Sequence, residues 1–221
     1  MVERISRSRL LARAGGLLAG AAAFAATRTG PAPAAAAVGC VLTPEMTEGP
    51  YYISGEKLRR NITEGRPGTQ LDLRLAVVDA STCRPIKGAI VDIWHADAAG
   101  VYSGFGSGAS SRTFMRGVQR TDAKGLAQFR TVYPGWYQGR TVHIHTKLHL
   151  GGNVVHTGQL YFPDVLTDVV YRKSPYSQRP NRDPRNSGDS IYRNGGKRST
   201  LRLARSGSGY VGAITMGVQR S

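Results

Sequence analysis

The chain has 221 residues, 40% of them hydrophobic, with 2 cysteines and a formal net charge of +16. That length suits one domain with its own core and leaves too little for two of comfortable size. Two cysteines exclude a disulfide-built mini-scaffold, and the excess positive charge admits anionic partners.

Residues 1–39 differ from the rest. Arg4, Arg7, Arg9 and Arg13 make a basic start, an apolar stretch runs from Ala14 to Ala26, and an Ala/Pro-rich tract follows. The apolar stretch is short of the roughly 20 residues that span a bilayer. This order reads as a cleaved export signal and linker, residues 1–39, ahead of a mature domain, residues 40–221. The mature protein is therefore expected to be secreted, with no stable membrane anchor. "RSRLL" has no adjacent arginines, so the export route stays open. Without residues 1–39, 25 basic and 13 acidic side chains remain, a charge of +12. In an exported protein an even pair of cysteines suggests a disulfide, here Cys40 with Cys83. It would tie the mature N-terminus to the loop after the first strand. A lipoprotein reading of "AVGC" is weaker, because the apolar region ends too far upstream.

Beyond residue 40 the chain is punctuated by Gly and Pro, with no internal repeat and no long helical period. "LDLRLAVVD" at 71–79 alternates and then turns apolar, "AIVDIWHAD" at 89–97 is a second strand, and "AQFRTVYP" at 127–134 is a third. "RTVHIHTKLHL" at 140–150 turns at "GGN" into "VVHTGQLYFP" at 153–163. A helix is expected within 165–174, and 175–199 reads as a polar, irregular stretch. "TLRLARS" and "GYVGAITMGVQ" close the chain as a strand pair. Short strands separated by turn signals predict an all-β, antiparallel β-sandwich with long functional loops. Ten basic residues fall between Arg172 and Arg205, against Asp183 and Asp189 only. The segment contains no nucleic-acid module, and a solvated basic face is its default reading.

In the fourth strand His143, His145, Lys147 and His149 share one face, because strand side chains alternate. Two imidazoles at i and i+2 can converge on one point, and neutral imidazole suits zinc, copper, iron and nickel. His149 lies about 13 Å beyond His145 at ~3.3 Å per residue. The direction of His156 is open from sequence, and no Asp or Glu occurs between 131 and 163. Tyr137, in "YPGWYQGR", precedes the strand, and Tyr102 follows another in "WHADAAGVYSG". Tyrosinate is a hard anionic donor suited to ferric iron.

In combination these pieces resemble the intradiol ring-cleavage dioxygenases, the catechol and protocatechuate 3,4-cleaving enzymes. The matching motifs are "TEGPYY", "GAIVDIWHADAAGVYS", "YPGWY", "GRTVHIH" and "GQLYF", in the family's order, with a similar tail from "DSIYRNGG" to "GYVGAITMGV". The resemblance covers nearly all of residues 40–221. It implies a non-haem Fe(III) site with Tyr102, Tyr137, His143 and His145 as ligands. It also implies a catechol-type substrate cleaved with O2, between its two hydroxylated carbons, to a muconate-type diacid. Tyr137 would take a substrate proton, Arg140 would stabilise negative charge on the ring, and Gln159 would orient the ring or the arginine. Tyr51 and Tyr52 match a segment lining the substrate pocket. The family's "RPAHIH" reads Arg140-Thr141-Val142-His143 here, which keeps the spacing. His95, His149 and His156 have no ligand role in the resemblance. Catechol, hydroxyquinol and protocatechuate all stay open as substrates, as does a homo-oligomer, and no nucleic-acid partner is expected. The competing class is a secreted, non-catalytic β-sandwich module that binds carbohydrate or resembles transthyretin.

Overall fold

The computed structural model describes residues 40–105 and 108–220; the expected export signal lies outside them. The strands are β1 (Gln70–Asp79), β2 (Ile90–Trp94), β3 (Arg116–Arg120), β4 (Leu126–Val132), β5 (His143–Leu150), β6 (Asn153–Tyr161), β7 (Arg202–Ser206) and β8 (Gly209–Val218). They form two four-stranded sheets, ordered β4-β1-β8-β7 and β3-β2-β5-β6. The sandwich is thus as the alternation predicts, with one departure from antiparallel pairing: β1 and β8 run parallel.

Alternation builds the core. On β1 the inward residues Leu71, Leu73, Leu75 and Val77 are buried, while Arg74 faces water. Opposite them and their sheet neighbour Phe129 of β4 lie Val91 and Ile93 of β2, Ile144 and Leu148 of β5 and Leu160 of β6. Each such side chain contributes about 1.5–3 kcal/mol by leaving water.

β3 is absent from the sequence reading. "RGVQR" has one apolar residue and no alternation, so only its pairing with β2 makes it a strand. Gly117 is required there by packing: a Cβ would come within 2.6 Å of the Ile62 side chain.

The helix expected at 165–174 is α1 (Asp164–Tyr171). The stretch 175–199 is better ordered than its polarity suggests: it holds 3-10 turns and a short helix, α2 (Ser190–Arg193). Its charges have partners. Arg182 bonds Asp164 and Asp168, both at 2.8 Å, Arg185 bonds Asp168 at 2.8 Å, and Arg179 stacks on Trp136.

The N-terminal segment is a strap. Cys40 is disulfide-bonded to Cys83, with Cα atoms 5.2 Å apart. From there Thr43 N–H donates to Gly217 O at 2.9 Å on one sheet, and Met46 N–H to Thr157 O at 2.9 Å on the other. Residues 47–52 then cross the outer face of the β5 sheet, where Glu48 pairs with Lys147.

Candidate metal centre

Both faces of β5 are covered. Ile144 and Leu148 point into the sandwich, while His143, His145 and Lys147 point outward beneath the strap and loops. The candidate site therefore lies on the outside of a sheet, closed by loops.

His143 Nδ1 bonds Thr141 O at 2.6 Å. A carbonyl only accepts, so this nitrogen carries the proton and Nε2 presents a lone pair. That Nε2 lies 3.0 Å from His145 Nε2 and 3.3 Å from Tyr137 Oη. His145 is held by the indole of Trp94, its cross-strand neighbour on β2, stacked at 5.0 Å. Gly49 of the strap closes over the imidazole; a Cβ there would sit 3.1 Å from His145 Cε1. The Tyr102 ring packs edge-on against Tyr137 at 5.5 Å and against His145 at 6.2 Å.

The electrostatics fit a cation. Burial and the nearby Arg140 charge push the pKa of His143 down to about 3, and burial with the His143 charge pushes His145 well down. Both rings stay neutral, the form that binds metal. Tyr102 Oη and His145 Nδ1 are buried without a hydrogen-bond partner. Burial raises the pKa of Tyr102 well above that of a free phenol and raises Tyr137 too, the latter opposed by Arg140. A cation in contact reverses that direction, because it stabilises phenolate. Among the described residues no cluster of three His, Cys, Asp or Glu side chains could hold a metal, so any ion here needs the tyrosines.

Arg140 is fixed from two sides. Its Nε donates to Asp189 Oδ2 at 2.9 Å and its Nη2 to Gln159 Oε1 at 2.5 Å. Gln159 Nε2 in turn donates to Thr47 O in the strap at 2.9 Å. Burial alone would lower the pKa of Arg140; Tyr137 and Asp189 outweigh it, so the guanidinium stays charged. Tyr51 stacks on Tyr102 at 4.3 Å and meets Phe105 and Tyr137 edge-on, which makes an aromatic wall. Tyr52 lies farther out, tilted against Trp94 and under Lys147 Nζ.

The structure thus gathers Tyr102, Tyr137, His143, His145, Arg140, Gln159, Tyr51 and Tyr52 in one region. It keeps three histidines apart. His95 turns to Thr131 Oγ1 at 2.8 Å, His156 shares the inward face of β6 with Leu160, and His149 lies past a bulge in the β5–β6 pairing. Two residues escaped the sequence reading. Asp189 lies within the quoted "DSIY" but received no role; its carboxylate also accepts from Thr141 N–H at 2.9 Å and caps α2. Arg116 is buried in β3, where its guanidinium bonds Ser103 O at 2.7 and 3.1 Å and Ser103 Oγ at 3.0 Å. It thereby pins the residue after Tyr102.

Residues 47–171 match a family model described as "Dioxygenase". The chain belongs to the intradiol ring-cleavage dioxygenase family. An intradiol ring-cleavage dioxygenase from Tetranychus urticae is 39% identical in sequence, with a TM-score of 0.77, over 81% of this chain and 95% of that one. The dioxygenase domain of a dioxygenase–carbohydrate-binding protein fusion from Streptomyces sp. SirexAA-E is 30% identical, with a TM-score of 0.64, over 82% of this chain and 100% of that domain. Catechol 1,2-dioxygenase 1 of Acinetobacter lwoffii is 32% identical over 120 residues, 50% of this chain and 39% of that protein. The intradiol dioxygenase chain therefore matches about two fifths of the length of that catechol enzyme.

Proposed function

We propose that this intradiol dioxygenase cleaves a catechol-type ring between its two hydroxylated carbons with O2, yielding a muconate-type diacid, and that Tyr102, Tyr137, His143 and His145 hold a non-haem ferric ion for the reaction. The observation that carries this reading is the convergence of two neutral histidine nitrogens and the Tyr137 oxygen in a buried cluster without a carboxylate, with the Tyr102 ring packed against it and its hydroxyl unpartnered. When bound, the ion supplies Lewis acidity and a template for both substrate oxygens.

The chain's own residues do the rest. Tyr137 is less buried than Tyr102 and sits between Arg140 and the aromatic wall. Its oxygen is placed to accept one substrate proton, a general-base role. Arg140, fixed by Asp189 and Gln159 before substrate arrives, presents positive charge where the ring gains electron density. Tyr51 and Phe105 offer apolar faces to the ring and keep water from it. A non-catalytic sandwich module gives no reason for these buried donors.

The enzyme works outside the cytoplasm in this proposal. The composition of residues 1–39 and the Cys40–Cys83 disulfide support that placement.

The test is the visible spectrum of ferric-loaded protein, before and after catechol is added under nitrogen. A broad tyrosinate-to-iron band that moves to longer wavelength is expected, with a ring-opened diacid formed once oxygen is admitted. Iron-replete but colourless protein refutes the tyrosine ligation. Coloured protein that consumes no oxygen with catechol, hydroxyquinol or protocatechuate refutes the ring cleavage. Tyr137→Phe is expected to keep most of its iron and to lose turnover by about 100-fold, the scale of a general base.

A further inference from the structure

The basic residues of segment 172–205 differ in their surroundings. Arg179, Arg182 and Arg185 are consumed by the fold, as their partners above show. Lys197, Arg198 and Arg202 are not; they converge with Arg74 on the outer face of the other sheet, away from the β5 face.

Register explains the convergence. Arg74 of β1 and Arg202 of β7 are both cross-strand neighbours of Ala213 on β8. They flank that small side chain about 10 Å apart, two strand spacings. The next row, Ala76 and Thr215, is also small, so the floor stays low between the arginines. Lys197 and Arg198 reach the same groove from the turn before β7; Arg198 stands at its rim and also lines the adjoining pocket with Pro44 and Glu45. The groove has a volume of about 480 Å3, within the range of ligand clefts.

Among the described residues, none that lines this groove is acidic or aromatic, and none of its four cationic heads has a side-chain hydrogen bond or ion pair. The nearest acid on the same face of β1, Asp72, is already bonded to Arg130 at 3.0 Å. Four unneutralised cations in one depression repel one another, and that cost is recovered when anions bind between them. Arginine forks pair with oxyanions, carboxylates among them, through two parallel N–H donors.

We propose that this groove binds a linear polyuronate, a polysaccharide with a carboxylate on each sugar. All four cationic residues are exposed, so the groove is open and takes a segment of a longer chain rather than an enclosed small molecule. The hydroxyl of Thr215 stands among the cations and complements sugar hydroxyls, while that of Thr200 donates to Gly196 O at 2.8 Å and offers only its lone pairs. Single-stranded nucleic acid is the poorer fit, because the lining offers no aromatic ring on which a base could stack. Binding on this sheet would hold the enzyme on an acidic polymer and leave the β5 face free.

The experiment is titration of the whole protein with polygalacturonate by calorimetry, at 50 and 200 mM salt. Dextran serves as the neutral control and a DNA duplex as competitor. The double variant Arg74→Ala/Arg202→Ala is compared with Arg172→Ala/Lys173→Ala, which removes equal charge elsewhere. Thermal melting confirms that both fold. Binding that weakens at least tenfold in the groove variant, and less than twofold in the control, supports the proposal. Salt-sensitive binding, with none to dextran, must accompany that difference between the variants. Absence of binding at 50 mM salt, equal loss in both variants, or tighter binding of the duplex through Arg74 and Arg202 overturns it.

Discussion

Removing the Asp189 carboxylate separates its two jobs. One oxygen accepts from Ile191 N–H at 2.8 Å and Tyr192 N–H at 3.2 Å, capping α2; the other accepts from Arg140 Nε and Thr141 N–H, both at 2.9 Å. Losing the cap costs about 1 kcal/mol. Hydrogen bonds to a charged group contribute ~1.5–3 kcal/mol each, and Asp189 is only 2% exposed, so water replaces them poorly. Asp189→Ala should therefore cost roughly 3–5 kcal/mol, as for breaking a buried ion pair. That corresponds to a melting point lower by about 10 °C for a domain of this size. Asp189→Asn keeps the cap, since Asn caps helices as well as Asp, and loses only the charge; about 1–2 kcal/mol is expected. Both variants leave Arg140 held by Gln159 alone, so catechol turnover should fall in each while ferric content stays near stoichiometric. Burial alone would raise the pKa of Asp189, but the Thr141 N–H and Arg140 outweigh it and hold it below the ordinary value of 3.8. Its stabilisation is thus present above pH 3.8 and lost as pH falls through the depressed value. The gap between wild type and Asn should close in acid. Melting curves from pH 3 to 8, iron analysis and oxygen uptake decide the matter. An Ala variant melting within about 1 °C of wild type, equal deficits for Ala and Asn, or an Asn variant with normal turnover refutes this account.

Three further outcomes follow from particular contacts. Arg116→Met keeps the bulk but drops the bonds to Ser103; ferric affinity should fall about tenfold, and the charge-transfer band should weaken as Tyr102 loosens. Arg116→Lys should restore part of it, and an unchanged band in the Met variant would make the arginine a packing residue only. Asp92 has its pKa raised to about 7, chiefly by burial. It stabilises least when ionised, so stability attributable to it is present below the ordinary value of 3.8 and lost as pH rises towards 7. Asp92→Asn should therefore match wild type near pH 4 and melt higher at pH 8; a constant offset would show that the proton is irrelevant. Replacing Cys40 and Cys83 by serine opens a loop of 43 residues' separation and should cost roughly 4 kcal/mol on the chain-entropy model. It should also weaken substrate binding, because the strap over His145 begins at Cys40. Unaltered catechol affinity in the folded double variant would uncouple strap from site.

Much of this enzyme is legible in its residues. The two-residue period of β1 and β5 sets which side chains enter the core and puts His143 and His145 on one face, because a pleated strand leaves them no other choice. The order of the five motifs identifies the family, and a single pair of cysteines behind a signal-like N-terminal composition points to their pairing. Tertiary structure decided the rest. β3 is a strand only because β2 lies beside it, so "RGVQR" carries no local signal. The role of Asp189 depends on a fold that returns it to Arg140 across 49 positions, a distance no local period encodes. Charge is the clearest case. Segment 172–205 reads as one uniform basic run, yet folding places Arg182 against acids of α1 and leaves Arg202 facing Arg74 across Ala213. Sequence determines how many charges there are; only the three-dimensional neighbours of each determine whether it is neutralised.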